Sequence, residues 1–350
     1  MKILVTGTDG YLGSLLVPLL LDQGHEVTGV DVGFYRSGWL YECGTDQVRT
    51  ITRDIRALES RDLAGHDALV HMAELSNDPA GELAPGITRE INHLGSVRLA
   101  ELAKRAGIGR FIYMSSCSVY GAVDGDNEVD ESTPPNPQTA YAHCKTLCER
   151  DIAAMAARGF SPVCFRNSTA FGASPRQRFD LVVNNLCGLA WTSGSIRMSS
   201  DGSPWRPLVH ASDIGRAIVC ALNAPSEAIH GEVINIGNND LNHRVSEIAD
   251  AVAQRFEGCA VEYGDVSDDR RSYRVVFDKL AKHLPDFKCQ WNLDDGIRQF
   301  YELFKQLDLK REDFENRAFT RLHQLRFLIR TGQIDDDFYW NSASRTHAYL

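Results

Sequence analysis

Tyr141-Ala142-His143-Cys144-Lys145 places a phenol and an ammonium four residues apart, hence on one face of a helix. A free tyrosine ionises near pH 10, too high for a general base at neutrality, and a neighbouring cation favours the phenolate. The pair therefore suits removal of a proton from a hydroxyl. The spacing alone is common, and a pair on a solvated helix face shares it. Hydroxyls elsewhere strengthen the catalytic reading. Phe111-Ile112-Tyr113-Met114 reads as a strand running into Ser115-Ser116-Cys117-Ser118-Val119-Tyr120-Gly121. That sets Ser115 and Ser116 at the carboxyl end of a strand, where open parallel sheets bind ligands.

A second constellation opens the chain. Gly7-Thr8-Asp9-Gly10-Tyr11-Leu12-Gly13 follows an apolar strand and starts a helix. Glycines there permit a tight turn and close approach of backbone to a pyrophosphate, and the helix start, with Tyr11 and Leu12, offers free N–H groups to phosphates. The next strand ends at Asp31, where a carboxylate accepts hydrogen bonds from ribose hydroxyls and repels a 2′-phosphate. The expected cofactor is NAD in preference to NADP. Its positive nicotinamide would add to Lys145 in favouring a Tyr141 phenolate, and Lys145 can also hold the nicotinamide ribose. Asp54-Ile55, after a short third strand, either meets the adenine or forms a helix cap.

The elements that must position these residues alternate. Strands are expected at Ile3–Thr6, Glu26–Val30, Ala68–His71, Phe111–Met114 and Pro162–Phe165, with helices near Leu12–Asp22, Thr88–Ala106 and Tyr141–Ala157. This is the pattern of a Rossmann-type α/β fold, a doubly wound parallel sheet. It spans residues 1–167 as an NAD-binding domain that also receives a strand at Val233–Gly237. A smaller mixed substrate lobe is expected over 168–302, interleaved with it, and a helical tail over 303–350 with Phe314, Ala318, Leu322, Leu325 and Ile329 near one face. At 350 residues, 43% hydrophobic and 24% charged, the chain has the balance of a packed globular protein. A net charge of -10 argues against nucleic acid as a partner. No apolar run reaches the roughly 18 residues of a membrane span, and the opening strand leaves no signal segment, so a cytoplasmic protein is expected. Nine cysteines without a CxxC pair read as reduced thiols, with no metal site.

GTDGYLG, Asp31, HMAELS, SSCSVYG, YAHCK and RPLVHASDI together resemble the extended short-chain dehydrogenase/reductase family, in particular its NAD-dependent nucleotide-sugar epimerases and dehydratases, over roughly residues 1–300. The resemblance implies that Ser116 hydrogen-bonds the sugar hydroxyl being oxidised, that Tyr141 takes its proton, and that hydride passes to NAD. It implies cofactor contacts at Met72, Ala73 and Ser115, with Asn92 steadying the catalytic helix. It also implies a nucleotide-diphosphate sugar held by Asn167, Asn185, Leu186, Arg178, Arg206 and Arg271. A homodimer formed through the helices near Thr88–Ala106 and Tyr141–Ala157 is implied as well.

Family dehydratases carry an Asp-Glu pair directly after the catalytic hydroxyl, where this chain has Cys117-Ser118. That favours an epimerase over a 4,6-dehydratase. In 4-epimerisation the keto sugar turns over and takes hydride back, so Ser116, Tyr141 and Lys145 suffice. In 3,5-epimerisation an added acid and base are needed, for which Cys117 or Ser118 and Arg178 are the candidates. A 4-ketosugar reductase and a non-catalytic NAD-sensing protein are the remaining classes.

Overall fold

The computed structural model describes residues 1–42, 48–123, 125–266 and 271–341. Seven short apolar segments form its centre: β1 (Lys2–Thr6), β2 (Glu26–Asp31), β3 (Thr50–Thr52), β4 (Ala68–His71), β5 (Arg110–Ser116), β6 (Ser161–Asn167) and β7 (Glu232–Ile236). They make one parallel sheet in the order β7-β6-β5-β4-β1-β2-β3. Ile3, Leu4, Val5, Leu69, Val70, Phe111 and Ile112 are fully buried, so consecutive side chains are covered on both faces, as a parallel sheet requires. Strand order reverses between β1 and β4, which opens a crevice at the carboxyl ends. Register then fixes who meets there: Thr6 lies opposite His71, His71 opposite Tyr113, and Ser116 opposite Asn167.

The helices used below are α1 (Gly13–Asp22), α2 (Ser96–Arg105), α3 (Ala140–Ala153), α4 (Val182–Ser193), α5 (Ala211–Asn223), α6 (Val245–Arg255), α7 (Leu293–Leu307) and α8 (Arg321–Arg330). Leu16 and Leu20 of α1 and Ile214 and Ile218 of α5 cover one face of the sheet. Leu99 of α2 and Cys148 and Ile152 of α3 cover the other. A third core, built around Phe171, Phe179, Val183, Phe300 and Phe304, holds α4, α6 and α7 together. Beside it, Trp205–His210 pairs with Thr169–Phe171 and Asn242–Arg244. Residues 168–302 are thus shared: α5 and β7 belong to the large sheet and the rest to the smaller unit.

Three expectations change. The helix foreseen over Thr88–Ala106 is divided, with wide turns at Arg89–Gly95 before α2. The catalytic helix ends at Ala153, four residues early, where the chain turns back into β6. The tail is no single amphipathic helix. Phe314 closes a short helix, Ala318 lies in a tight turn, and only Leu322, Leu325 and Ile329 share α8.

The two ends of the tail pack on different units. Phe314 meets Phe179 of the smaller core with ring centroids 4.9 Å apart. Leu325, Leu328, Ile334 and Phe338 join Phe34, Ile55 and Leu58 on the Rossmann side. The Trp340 ring lies tilted against Phe34 with centroids 5.5 Å apart and donates from Nε1 to the Val32 carbonyl at 2.6 Å.

Candidate active site

The glycine turn is sterically closed to any other residue at two points. Gly7 has φ +82°, and a Cβ there would lie 3.0 Å from the backbone of Met72 and Ala73. A Cβ on Gly13 would sit 2.2 Å from the Gly7 carbonyl oxygen. α1 therefore begins hard against β1, with its free N–H groups turned to the crevice. Tyr11 anchors the turn from the other side, donating its hydroxyl to the Gly172 carbonyl at 2.7 Å.

Asp31 closes β2 with Oδ1 accepting from the Gly33 N–H at 2.7 Å and Oδ2 from the Asp9 N–H at 3.0 Å. Burial first, and neighbouring Asp9 second, push its carboxyl up to about 6, against the pull of those N–H groups and of Arg36. We propose that this carboxylate receives the ribose hydroxyls of NAD, which donate best to its ionised form, so cofactor affinity should be full above that value and fall below it. Titrating NAD by fluorescence quenching should show about tenfold weaker binding per pH unit below about 6. An Asp31→Asn variant with the same slope would assign the loss to another group.

The Lys145 side chain on α3 is 4% exposed, and its Nζ lies 2.5 Å from Oε2 of Glu74, whose side chain is 3% exposed. The ammonium also donates to the Met114 carbonyl. Glu74 accepts from the Tyr113 hydroxyl at 2.7 Å. Burial disfavours the Lys145 charge, yet Glu74 and Tyr141 outweigh that and hold the lysine protonated. The Tyr141 ring centroid is 5.3 Å from the ammonium. Its phenol is pushed up by burial, drawn down by Lys145, and raised again by Glu74 and Asp78. Ser116, across the crevice, ends β5 with its hydroxyl accepting from the Ser118 N–H at 3.1 Å.

These groups line one cavity of about 570 Å³, and Asp54, Ile55, Met72, Ala73, Ser115, Ser118, Asn167, Arg178, Arg206 and Arg271 line it too. Among its buried polar atoms, Ser118 Oγ and Asn167 Oδ1 have no hydrogen-bond partner among the described residues, which suits a wall built to meet a polar ligand. The glycine cradle, Asp31 and these atoms fit NAD with a second polar molecule beside it.

Other expected contacts move. Asn92 is fully buried and does not line the cavity: its amide clamps the backbone N–H and carbonyl of Leu75, at 2.9 and 3.0 Å. Its carbonyl receives the Cys148 thiol, which ties this segment to α3. Asn185 donates to the Phe179 carbonyl and Leu186 joins the smaller core, so neither reaches the cavity; Leu181 and Val182, one helical turn earlier, do. Cys117 also faces away. It is 1% exposed, its thiol donates to the Arg166 carbonyl, and burial pushes that thiol far up. The Ser115 hydroxyl is turned to Glu149 on α3, and both Asp54 oxygens are engaged by Arg56. Arg178 is paired with Asp180 at 2.9 Å. Arg271 pairs with Asp78 at 2.5 Å, while Arg206 reaches the Arg271 carbonyl at 2.5 Å. His210 is structural, stacked on Trp291 at 4.0 Å.

The model of the NAD dependent epimerase/dehydratase family matches residues 3–237. The chain belongs to that family. Its members are enzymes of the extended short-chain dehydrogenase/reductase type, with NAD as cofactor. A dTDP-glucose 4,6-dehydratase of Actinoplanes sp. is 30% identical over 85% of this chain and 96% of its own length. A UDP-glucose 4-epimerase of Neisseria meningitidis serogroup C is 26% identical, covering 68% of this chain and 77% of its own. Among solved structures, MoeE5 in complex with UDP-glucuronic acid and NAD superposes with a TM-score of 0.75 at 26% identity, over 87% of this chain and 99% of that one. Epimerases and dehydratases thus stand equally near, and family membership leaves the reaction to be argued from the site.

Glu74, Asp78, Tyr35 and Arg321 are cavity residues that the sequence reading passed over. Glu74 had a signal: it lies three residues after β4, at the carboxyl edge where the strand order reverses.

Proposed function

We propose that this family member is a nucleotide-diphosphate-sugar 4-epimerase. One observation carries the reading: at the two positions where family dehydratases hold their Asp-Glu pair, this chain has a thiol turned into the core and a lone serine hydroxyl. Neither can act as the acid and base needed to remove water across the sugar. The 3,5 route loses support from the same segment, since Cys117 is outside the cavity wall and Arg178 is held by Asp180.

NAD, when bound, supplies the acceptor and donor of hydride and a positively charged ring. Ser116 orients the sugar hydroxyl, and Tyr141 takes its proton and later returns it. Lys145, fixed by Glu74, supplies the nearby positive charge. Arg206 and Arg271, adjacent to one another on the cavity wall, are the proposed clamp for the sugar's diphosphate.

The test incubates the protein with UDP-, GDP-, CDP- and dTDP-sugars in D2O, following absorbance and NMR. A sugar inverted at C4 without lasting NADH and without solvent deuterium is the expected result. Deuterium entering at C3 or C5 would assign the 3,5 route, and a 4-keto-6-deoxy product would assign dehydration; either overturns the proposal.

A further inference from the structure

The cavity has a second wall that its family motifs do not supply. Thr320, Arg321 and Leu322, from the tail, line it together with Tyr35 and Asp180. Arg321 is 3% exposed, and its guanidinium lies flat over the Tyr35 ring at 4.0 Å. Its backbone N–H donates to Asp180 Oδ2, yet its guanidinium makes no hydrogen bond to any described side chain or carbonyl. Asp180 is already engaged by Arg178, by the Asn77 amide and by that N–H. The Tyr35 hydroxyl, which also lines the cavity, is buried with no hydrogen-bond partner among the described residues. Both Asp180 oxygens are thus taken by other donors, and the Arg321 guanidinium lies desolvated beside a phenolic hydroxyl. Burial lowers the guanidinium to about 10, with Arg178 acting in the same direction and Tyr35, Asp180 and Asp31 opposing it.

We infer that Arg321 and Tyr35 form a second arm for a diphosphate, gripping the cofactor's pyrophosphate from the side opposite the α1 N-terminus. The observations favour the cofactor's pyrophosphate over the substrate's. Tyr35 lies four residues beyond Asp31, whose charge acts on both Tyr35 and Arg321, whereas Arg271 pairs with Asp78, which accepts from Thr139 just before α3 and whose charge acts on Tyr141. A guanidinium forked onto phosphate oxygens in a dry wall makes strong, charge-assisted hydrogen bonds. Because α8 carries the arm and Leu325, Leu328 and Trp340 tie the tail to the Rossmann core, the cofactor is enclosed by chain on both sides. That is the arrangement of a resident cofactor rather than one exchanged each turnover.

Arg321→Met, Arg321→Lys and Tyr35→Phe are compared with the parent by binding of NAD, ADP, adenosine and UDP to the cofactor-stripped full chain, with thermal melting as a folding control. Arg321→Met should weaken NAD and ADP about ten- to hundredfold, leave adenosine and UDP unchanged, and release NAD on desalting. Arg321→Lys should recover part of the ADP affinity, and Tyr35→Phe should lose a few-fold. Loss of UDP binding with ADP unchanged would place the arm on the substrate and overturn the assignment. Equal losses for adenosine and ADP, or no loss at all in a folded Arg321→Met protein, would overturn it as well. A parent that fails to bind NAD would instead contradict the family cofactor itself.

Discussion

Tyr141→Phe should lower turnover by roughly 10³-fold while NAD stays bound and the fold is unchanged. The substitution removes one oxygen at a cavity wall, and the ring keeps its place beside Lys145. What is lost is the phenol proposed to take a proton from the sugar hydroxyl. Since burial already pushes this phenol up, the protein without ligands holds it protonated at neutral pH. Turnover should therefore rise with pH along a single limb in the parent and be flat in the variant. Progress curves by NMR, with bound NAD measured after denaturation, separate the two effects. Parent-like turnover in the variant would remove Tyr141 from the mechanism.

Glu74→Leu should destabilise the protein by about 3–5 kcal/mol, because it leaves the Lys145 ammonium buried without its counter-charge. Denaturant melts of parent and variant measure this directly. Glu74→Gln is the milder probe: it keeps an acceptor for the Tyr113 hydroxyl but removes the negative charge. The sign of its effect on catalysis follows from the environment of Tyr141, in which Glu74 raises the phenol and Lys145 lowers it. Taking away the raising group moves the tyrosine limb of the kcat/KM profile to lower pH. A limb that stays put, or moves to higher pH, would show that Glu74 serves Lys145 placement alone.

Much of the site was legible because it is local. The Gly7–Gly13 turn, Asp31 at a strand end, and the Tyr141/Lys145 spacing each lie within one element, where sequence separation fixes geometry. The sheet followed for the same reason, since two-sided apolar runs fit buried parallel strands. What escaped depends on direction or on distant contacts. Cys117 follows Ser116 immediately, yet the tight turn over Cys117–Tyr120 swings its side chain into the core. Asn185 and Leu186 miss the cavity by one helical turn, an offset set by the path of the loop before α4. Arg321 reaches the cavity only because Gln324 and its neighbours dock near Phe34, a contact spanning 290 positions that no local pattern encodes.

The cysteines carry a consequence of another kind. Cys117, Cys144, Cys148 and Cys164 lie in or beside α3, β5 and β6 and are all buried, whereas Cys220, Cys259 and Cys289 are partly exposed. Burial pushes each of the inner thiols up, Cys144 to about 11, so thiolate is scarce where the catalytic helix packs. Burial raises the outer thiols as well, Cys289 to about 12, so exposure rather than acidity sets the order: among the described cysteines a reagent reaches the outer thiols directly and the inner layer only when that layer opens. The inner sulfurs are in effect a silent clock: the rate at which they are trapped is the rate at which the active-site scaffold comes apart.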